Sequence, residues 1–406
     1  MELLNNGGIT SPKGFLASGI HCGLKKNSLK MDLALIYSEV PATAAGVYTK
    51  NKVKGAPIYI TKEHLSNKKA QAIIINSGNA NTCNGEDGLS KAKKMTQVQA
   101  KLLNLKTDNV LVASTGVIGV PLNIDAIKNG IPILTEKLSK NGSDDAASAI
   151  MTTDTFKKQF GATFTLNGKT ITIGAMAKGS GMIEPNMGTM LSFITTDLNI
   201  SGELLSEALK ESVSISYNRV SVDGDTSTND MVLIMANALA LNEKIESKNE
   251  AYYTFLKVLN ELNIIISKNI AKDGEGASKL IECNVNNAKT VKDADTLSKS
   301  VINSSLVKTA MFGSDANWGR VLCALGYSKV NFDPSKVDIY FKSSAGEIQV
   351  CSQGGSLEFD ETKAKEILLK PEINIIVNMN SGEASSIAWG CDLSYDYVKI
   401  NGDYRS

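Results

Sequence analysis

Two short, largely apolar runs, each followed by a small polar loop, constrain the fold of this chain most strongly. Residues 70–75 (AQAIII) run into the loop 76–79 (NSGN), and residues 109–113 (NVLVA) run into the loop 114–116 (STG). Apolar runs of this length are typical of buried strands. Between them, residues 89–105 carry apolar side chains at helical spacing. Strand, helix and strand in this order indicate a layered fold.

The rest of the chain mixes strand and helix patterns without a strict βαβ rhythm. Apolar and polar residues alternate over 160–177 around Asn167-Gly168, which is a strong hairpin signal. Strands are also predicted at 191–194, 337–341, 347–351 and 373–379, and helices at 204–215 and 251–271. This mixture predicts α/β or α+β layers rather than a doubly wound sheet.

Composition excludes several classes of partner. The 406 residues include 43 Lys and Arg against 42 Asp and Glu, so the net charge is only +1. Nucleic-acid-binding domains carry a clear basic excess, and aromatic stacking platforms are unexpected at 6% aromatic content. No apolar run approaches the ~18 residues of a membrane span. We therefore expect no nucleic acid, no membrane, and a cytoplasmic protein with reduced thiols.

Histidine and cysteine are too sparse and scattered for most metal or triad chemistry. The two histidines, His21 and His64, lie in no nucleophile context, so we expect both to be solvated or packed. The six cysteines form no C-x-x-C pair, which removes zinc and iron–sulfur spacings. No glycine-rich phosphate loop follows a strand. The sequence predicts neither a metal nor a cofactor.

The acidic loop 221–230 (SVDGDTSTND) has two interpretations. Asp223, Asp225 and Asp230 place acids and hydroxyls close together, as Ca²⁺ and Mg²⁺ sites do, but the EF-hand spacing and its terminal glutamate are missing. The favoured interpretation is a set of Asx turns, in which the side chains bind nearby backbone.

The segment 177–197 (AKGSGMIEPNMGTMLSFITTD) carries the candidate chemistry. Its glycines and Pro185 exclude a regular helix, and it places Gly188-Thr189 immediately before a predicted strand. The Gly188 carbonyl can be strained towards the Thr189 hydroxyl without an intervening side chain. Cleavage would free the Thr189 amine, whose ordinary pKa of about 7.7–8.0 suits a general base. A threonine paired with its own amine needs no histidine.

This segment closely resembles the self-cleavage segment of the ornithine acetyltransferases, the ArgJ family of arginine biosynthesis. Further segments resemble the family in the same order: GVYTKNKVKGAPI (46–58), NSGNANTCNGEDG (76–88), STGVIG (114–119), TTDT (152–155), SVDGDTSTND (221–230), KDGEGASK (272–279), FGSDANWGRVLCALGYS (312–328) and YDYVKINGDYRS (395–406). Two residues depart from the pattern. Gly188 stands where the family usually has alanine, and Ser406 where it typically has threonine.

The resemblance implies roles for individual residues. Thr189 would be the nucleophile that first cleaves the Gly188–Thr189 bond and then accepts an acetyl group. Thr115 and Gly116 correspond to the oxyanion-hole pair. Glu275 is expected to pair with the ornithine side-chain ammonium. The substrate-binding positions correspond to Thr152, Lys178, Thr189, Glu275, Asn401 and Ser406, so the C-terminal tail must fold back into the site.

The resemblance also implies an architecture and a reaction. The expected fold is an αββα sandwich of the DmpA/ArgJ-like type over residues 1–280, with a smaller α/β domain over 281–390 and the tail 391–406 returning to the site. Self-cleavage would give an α fragment, 1–188, and a β fragment, 189–406, assembled as a heterotetramer of two α and two β fragments. The expected reaction transfers acetyl from N2-acetylornithine to L-glutamate through an acetyl-threonine, in ping-pong order.

Alternatives to this function stay open at the level of sequence. Acetyl-CoA is a further candidate donor, which would add amino-acid N-acetyltransferase activity and make the enzyme bifunctional. An amidohydrolase or aminopeptidase with an N-terminal nucleophile would have the same fold but use water to resolve the acyl-enzyme. A cleavage-defective binding protein for acetylated amino acids is suggested only by Gly188. Glu275 and the returning tail favour the transferase, because both serve amino-acid recognition.

Overall fold

The computed structural model describes residues 1–25, 28–184 and 190–403, and they divide into two compact units. Unit 1 comprises Met1–Gly179, Pro185–Asn218 and Thr226–Ile266. Unit 2 comprises Ser180–Glu184, Arg219–Asp225 and Ser267–Ser406. No helix among the described residues is long and apolar enough to cross a membrane.

Unit 1 is built on a large mixed sheet. Its strands are β1 (Glu2–Leu3), β2 (Phe15–Ile20), β3 (Leu33–Tyr48), β4 (Lys69–Asn76), β5 (Val110–Ser114), β6 (Lys158–Leu166), β7 (Lys169–Lys178), β8 (Leu191–Thr196) and β9 (Met231–Ala236). The strand order is β1-β6-β7-β8-β9-β3-β4-β5, with β2 also paired to β3. The helices are α1 (Ala56–His64), α2 (Gly85–Leu102), α3 (Ile124–Glu136), α4 (Ser143–Ile150), α5 (Gly202–Ile215) and α6 (Glu250–Lys272), of which α6 continues into unit 2.

The long strand β3 allows this sheet to fold over into two layers. Its first part, from Leu33 to Tyr37, pairs with β2 and β4, whereas its second part, from Thr43 to Tyr48, pairs with β9. The register with β4 shifts between Tyr37 and Ala42, and such a bulge bends a strand and increases its twist.

A core between the two layers joins side chains from the end strands β4 and β5 with those of the central strands β3, β8 and β9. Ile36, Ile73 and Leu111 from β3, β4 and β5 belong to the same buried cluster as Phe193 and Leu233 from β8 and β9. A second cluster packs the outer face of β4 and β5 against α1, α2 and α3, and α5 packs against β3. The αββα sandwich expected from the resemblance is therefore present.

Burial on both faces explains the unbroken apolar sequence of β4 and β5. In β4, Ile73 and Ile75 point into the core between the layers, and Ile74 points towards the helices. In β5, Leu111 faces the inner core and Val112 the helices. Alternate residues of a strand point to opposite faces, so a strand covered on both sides keeps no polar stripe.

Unit 2 is a smaller α/β layer structure. Its strands are β10 (Leu280–Ala288), β11 (Asp338–Ser343), β12 (Gly346–Ser352), β13 (Gly355–Ser356), β14 (Glu372–Asn378) and β15 (Ala384–Cys391), in the order β13-β12-β11-β14-β10-β15. Its other helices are α7 (Val291–Asn303), α8 (Ser305–Gly313), α9 (Trp318–Gly326), α10 (Glu361–Leu368) and α11 (Tyr395–Gly402). One sheet face carries the core, with Val285, Phe341 and Ile375 packed against α7 to α10.

The unit boundaries differ from the domain boundaries expected from the resemblance. The longest segment of unit 2 begins at Ser267, inside α6, whereas the expected boundary between residues 280 and 281 falls at the start of β10. The tail belongs with unit 2, because Ser394 Oγ donates to the Gly276 carbonyl at 2.5 Å and caps the N-terminus of α11.

Candidate active site

The carboxyl ends of β4 and β5 bring two of the polar loops singled out above side by side. The strands are parallel, with Asn76 beside Ser114, so the loops that follow them emerge at the same sheet edge. The Thr115 N–H donates to the Asn76 carbonyl at 3.0 Å, and Asn79 forms an isolated antiparallel β-bridge with Thr115. Thr115 is half-buried, and no other described residue hydrogen-bonds to its hydroxyl. The backbone of Thr115 is therefore held in place, and its hydroxyl is available to hydrogen-bond to a ligand.

Gly116 allows an unusually close approach between the two loops. Its φ is +130°, and a Cβ there would lie 2.4 Å from the Gly78 carbonyl carbon and 2.5 Å from the Asn79 nitrogen. A side chain would collide with backbone, which cannot move aside as a flexible side chain could. Only glycine satisfies both the conformation and the space.

The side chain of Asn229 joins the loop after β4 to the end of β5 by hydrogen bonds. Its Nδ2 donates to the Ala80 carbonyl at 2.5 Å and to the Ser114 carbonyl at 2.9 Å. Its Oδ1 accepts from the hydroxyls of Thr82 and Thr228 at 2.5 and 2.6 Å. All three side chains are buried. The strand ends that carry Thr115 are thus held by a fully satisfied polar cluster, which favours a single conformation.

Asp154 is the centre of a second cluster in unit 1. Its Oδ1 accepts from Lys158 Nζ at 2.8 Å and from the Gly179 N–H at 2.7 Å, and its Oδ2 accepts from the Thr152 N–H at 2.9 Å. Lys178 Nζ lies 4.0 Å from the same Oδ2. Two residues expected to bind substrate, Thr152 and Lys178, therefore share one buried carboxylate.

The charge of Asp154 is maintained by its surroundings. Burial alone would raise the pKa of this carboxyl, since it disfavours the charged form. The cations Lys178 and Lys158, with the hydrogen bonds from Lys158 and Gly179, instead hold that pKa well below its ordinary value. Asp154 is therefore an anion at neutral pH that offsets the buried ammonium of Lys178.

In unit 2, two of the residues expected to bind substrate, Glu275 and Asn401, are in contact. Asn401 Nδ2 donates to Glu275 Oε2 at 2.8 Å, and the Glu275 N–H donates to the Ser180 carbonyl at 2.9 Å. Glu275 is 7% exposed, and a Cβ at Gly181 would lie 2.2 Å from its carboxyl carbon. The absence of a side chain at Gly181 thus leaves space for the Glu275 carboxylate.

In the loop 221–230, the Asp223 side chain makes one local contact of the Asx-turn kind and two contacts with distant backbone. Its carboxylate accepts from the N–H groups of Met182, Ile183 and Asp225 at 2.6, 2.8 and 3.3 Å. Tyr397 Oη donates to it at 3.3 Å, and burial together with Asp223 raises the pKa of this phenol. Asp223 fixes the backbone at 182–183, a role that spacing could not reveal because these partners lie about forty residues earlier.

Several sequence predictions can be compared with this geometry. Thr115, Gly116, Thr152 and Lys178 lie in unit 1, and Glu275 and Asn401 in unit 2, whereas Gly188, Thr189 and Ser406 lie outside the described residues. The roles given to these residues stay predictions. Sequence reasoning missed Asp154, Lys158 and Asn229, although the TTDT segment contains Asp154 and SVDGDTSTND contains Asn229.

Both histidines lie beside backbone carbonyls. His64 is buried with Nδ1 2.8 Å from the Val110 carbonyl, and His21 is exposed beside the Lys30 carbonyl, so the expectation of packed or solvated rings is confirmed. Within the described ranges, no group of three His, Cys, Asp or Glu side chains is arranged to hold a metal ion.

Comparison with known proteins gives the chain its relatives. It matches the model of the ArgJ family over residues 16–406. The arginine biosynthesis bifunctional protein ArgJ of Caldanaerobacter subterraneus subsp. tengcongensis is 53% identical over 406 residues, the full length of both chains. The arginine biosynthesis bifunctional protein ArgJ 1 of Clostridium acetobutylicum is 54% identical over all of this chain and 99% of its own.

Among solved structures, the arginine biosynthesis bifunctional protein ArgJ from Bacillus halodurans matches with a TM-score of 0.51 and 43% identity. The match covers 53% of this chain and 99% of that one. The family match spans nearly the whole sequence, and it includes the strand ends, the Asp154 cluster and the C-terminal tail described above. This chain belongs to the ArgJ family.

Proposed function

We propose that this protein is a glutamate N-acetyltransferase of arginine biosynthesis that moves an acetyl group from N2-acetylornithine to L-glutamate. The observation that carries the proposal is the family match over residues 16–406, joined to full-length identities above 50%. Family membership favours this activity over the amidohydrolase or aminopeptidase and the binding-protein alternatives. The geometry supports it through the buried charged cluster around Asp154 and the available hydroxyl of Thr115.

Maturation begins with Thr189. Its hydroxyl oxygen attacks the Gly188 carbonyl carbon, the peptide nitrogen leaves as the Thr189 amine, and water hydrolyses the resulting ester. The products are fragments 1–188 and 189–406, and the second starts with a free amine beside its own hydroxyl. The fragment 189–406 would make up just over half of the chain, and the solved Bacillus halodurans chain matches 53% of it over nearly its own full length. That length agreement supports cleavage.

Acetyl transfer then uses the same hydroxyl twice. Thr189 Oγ attacks the acetyl carbonyl carbon of acetylornithine while the Thr189 amine takes the hydroxyl proton, and the resulting ammonium returns that proton to the amide nitrogen, so that ornithine leaves with a neutral α-amine. The amine of glutamate next attacks the acetyl ester and releases Thr189. Thr115 and Gly116 stabilise the oxyanion in both halves of the reaction. The open hydroxyl of Thr115 and the rigid contacts of its loop support this role.

Substrate recognition is assigned to the residues that match the family's substrate positions. Lys178, which lies beside Asp154, pairs with the substrate α-carboxylate, and Thr152 also contacts the substrate. The Glu275 carboxylate pairs with the ornithine ammonium, and Asn401 and Ser406 also contact the substrate. The hydrogen bond from Asn401 to Glu275 supports giving these two residues a shared role.

The wider setting follows from the same membership. Acetyl-CoA acts as a second acetyl donor, in keeping with the word bifunctional in the names of the relatives. The mechanism uses no metal and no cofactor. The fragments assemble as two α and two β chains, and the protein works in the cytoplasm, where its six free thiols stay reduced.

The test offers the purified protein labelled acetylornithine and labelled acetyl-CoA in separate reactions, each with and without glutamate. Labelled N-acetylglutamate formed only when glutamate is present supports the transferase. Free labelled acetate without glutamate dependence would point to the hydrolase instead. Thr189→Ala is the matched control, and it is expected to give one uncut chain by mass spectrometry and no acetyl ester. A full-length wild-type chain that transfers acetyl would contradict the mechanism.

A further inference from the structure

Lys25 connects two parts of the unit 1 site, although it belongs to none of the family positions considered above. Its Nζ donates to the Met151 carbonyl at 2.8 Å and to the Met31 carbonyl at 2.6 Å. Met151 directly precedes Thr152, whose own N–H is held by Asp154. The residue expected to contact substrate is therefore anchored on both sides, by an ammonium before it and a carboxylate after it.

The backbone of Lys25 is itself fixed. The fully buried carboxylate of Asp32 accepts from the N–H groups of four successive residues, with distances of 2.6, 3.2, 2.8 and 3.1 Å for Cys22, Gly23, Leu24 and Lys25. A loop wrapped around one carboxylate in this way has little freedom. The ammonium of Lys25 consequently starts from a defined position.

The stem of Lys25 reaches the other part of the site. It passes beside Gly78, where a Cβ would lie 3.2 Å from Lys25 Cγ. Gly78 in turn lies against Gly116, as described above. One side chain therefore contacts the loop that supports Thr115 and Gly116 and binds the carbonyl next to Thr152.

We propose that Lys25 is a positioning residue of the acetyl transfer, setting the position of Thr152 relative to the loop that supports the Thr115–Gly116 pair. The inference rests on the proposed function, because Thr152 and Thr115 matter only if they act on substrate. Lys25 itself need not touch the substrate. Its ammonium hydrogen-bonds to the Met151 carbonyl, and its aliphatic stem lies beside Gly78.

The charge of Lys25 gives this role a measurable signature. Burial lowers the pKa of its ammonium to about 8. The like charges of Lys30 and Lys178 add to that effect, while Asp32 and Asp154 oppose it, and His21 lies 3.2 Å from Asp32 on the other side. As pH rises through this value the ammonium becomes an amine, and its hydrogen bonds to two carbonyls lose their charge assistance.

The experiment compares three variants with the wild-type protein. Lys25→Met keeps the stem and removes the donors. Lys25→Arg keeps the charge and the hydrogen-bond donors, and its guanidinium stays protonated throughout the measured pH range. Lys30→Met makes the same change at an exposed lysine of the neighbouring sequence and is the matched control. For each, kcat and KM are measured with acetylornithine from pH 6 to 10, and amide hydrogen exchange is followed in residues 76–82 and 150–156.

Lys25→Met is expected to lower kcat/KM for acetylornithine by about 10- to 100-fold, the usual effect of losing a charged hydrogen bond, mostly through KM. Its amides in 150–156 should exchange faster than those of Lys30→Met. Lys25→Arg should recover activity and move the loss of activity at high pH to higher pH. Equal kcat/KM in Lys25→Met and Lys30→Met would overturn the proposal, and so would equal impairment in Lys25→Met and Lys25→Arg. If the wild-type protein itself transfers no acetyl from acetylornithine, the proposed function fails, whereas hydrogen exchange still decides whether Lys25 anchors Thr152.

Discussion

Among single residues, Asp154 is a buried carboxylate whose charged form depends on its neighbours. A buried carboxylate is unfavourable unless cations and hydrogen-bond donors surround it, and Asp154 has Lys158, Lys178 and the N–H groups of Thr152 and Gly179. The same carboxylate lies 4.0 Å from Lys178 Nζ and accepts from the N–H group of Thr152. If these two residues bind substrate as proposed, Asp154 contributes both to stability and to the position of the substrate contacts.

Asp154→Asn should destabilise unit 1 by about 3–5 kcal/mol, because it removes the anion that compensates two buried ammonium groups. Urea unfolding measures this, with Asp144→Asn as the control. Asp144 pairs with Lys157 at the surface, so its loss should cost about 1 kcal/mol or less. The folded pKa of Asp154 lies below its unfolded value, so its stabilising contribution is present above pH ~4 and is lost below it. Equal stability in the two variants would contradict this account.

Glu275 is the residue proposed to select the acetyl donor. Glu275→Gln preserves the shape and removes the charge, so the ornithine ammonium would lose its partner at a cost of about 2–4 kcal/mol. The specificity constant for acetylornithine should therefore fall roughly 30- to 1,000-fold. Acetylation of Thr189 by a small activated ester, which lacks the ammonium, should change little. Equal loss with both donors would assign Glu275 to the nucleophile or to the fold instead.

At the scale of elements, the loops after β4 and β5 show how closely the strand ends are packed. Gly116→Ala would place a methyl group against the backbone of Gly78 and Asn79, whereas Gly119 also has a positive φ, +76°, but a Cβ there would meet nothing within 4 Å. Gly119→Ala therefore isolates the conformational cost, about 1 kcal/mol. Gly116→Ala should lower both thermal stability and the rate of acetyl transfer by more than Gly119→Ala does. Matching melting temperatures and rates in the two variants would refute the close contact.

Elements with local signals could be predicted from sequence, and elements defined by distant contacts could not. The hairpin of β6 and β7 turns at Asn167 and Gly168 with φ values of 47° and 75°, as the Asn-Gly pair predicts. The sequence pattern likewise predicts the helices α5 and α6 to within a few residues. In contrast, β3 contains Pro41 and a register shift, and its two parts pair with different strands, so no single alternation marks it.

The same division applies to the candidate site. Thr115, Gly116, Thr152 and Lys178 lie in segments with recognisable motifs, and the structure places them all in unit 1, with Lys178 as the last residue of β7. Their supports were not predictable, because Asn229 acts on strand ends more than a hundred residues away. Supporting contacts of this kind depend on the three-dimensional arrangement of the sheet, which one sequence does not contain explicitly.

For the molecule as a whole, the sheet order has a direct consequence for the cleaved protein. The proposed β fragment, 189–406, would contain β8 and β9, and these strands lie between β7 and β3, both of which fall in the proposed α fragment. Leu191 of β8 pairs with Lys178 of β7, and Met231 of β9 pairs with Tyr48 of β3. Phe193 and Leu233 lie in the core between the layers.

The two fragments should therefore remain together after cleavage, because separating them would break two strand pairings inside the sheet and expose that core. Size-exclusion chromatography of the wild-type protein in native buffer should give one peak that contains both fragments, and they should separate only in denaturant. Thr189→Ala, as a single uncut chain, provides the reference elution volume. Fragments that elute separately without denaturant would contradict the sheet order. If the fragments co-elute and unfold together at a single urea concentration, the cleaved protein unfolds as one cooperative sheet. Strand pairing, and not the peptide bond that Thr189 is proposed to cut, would then hold the two fragments together.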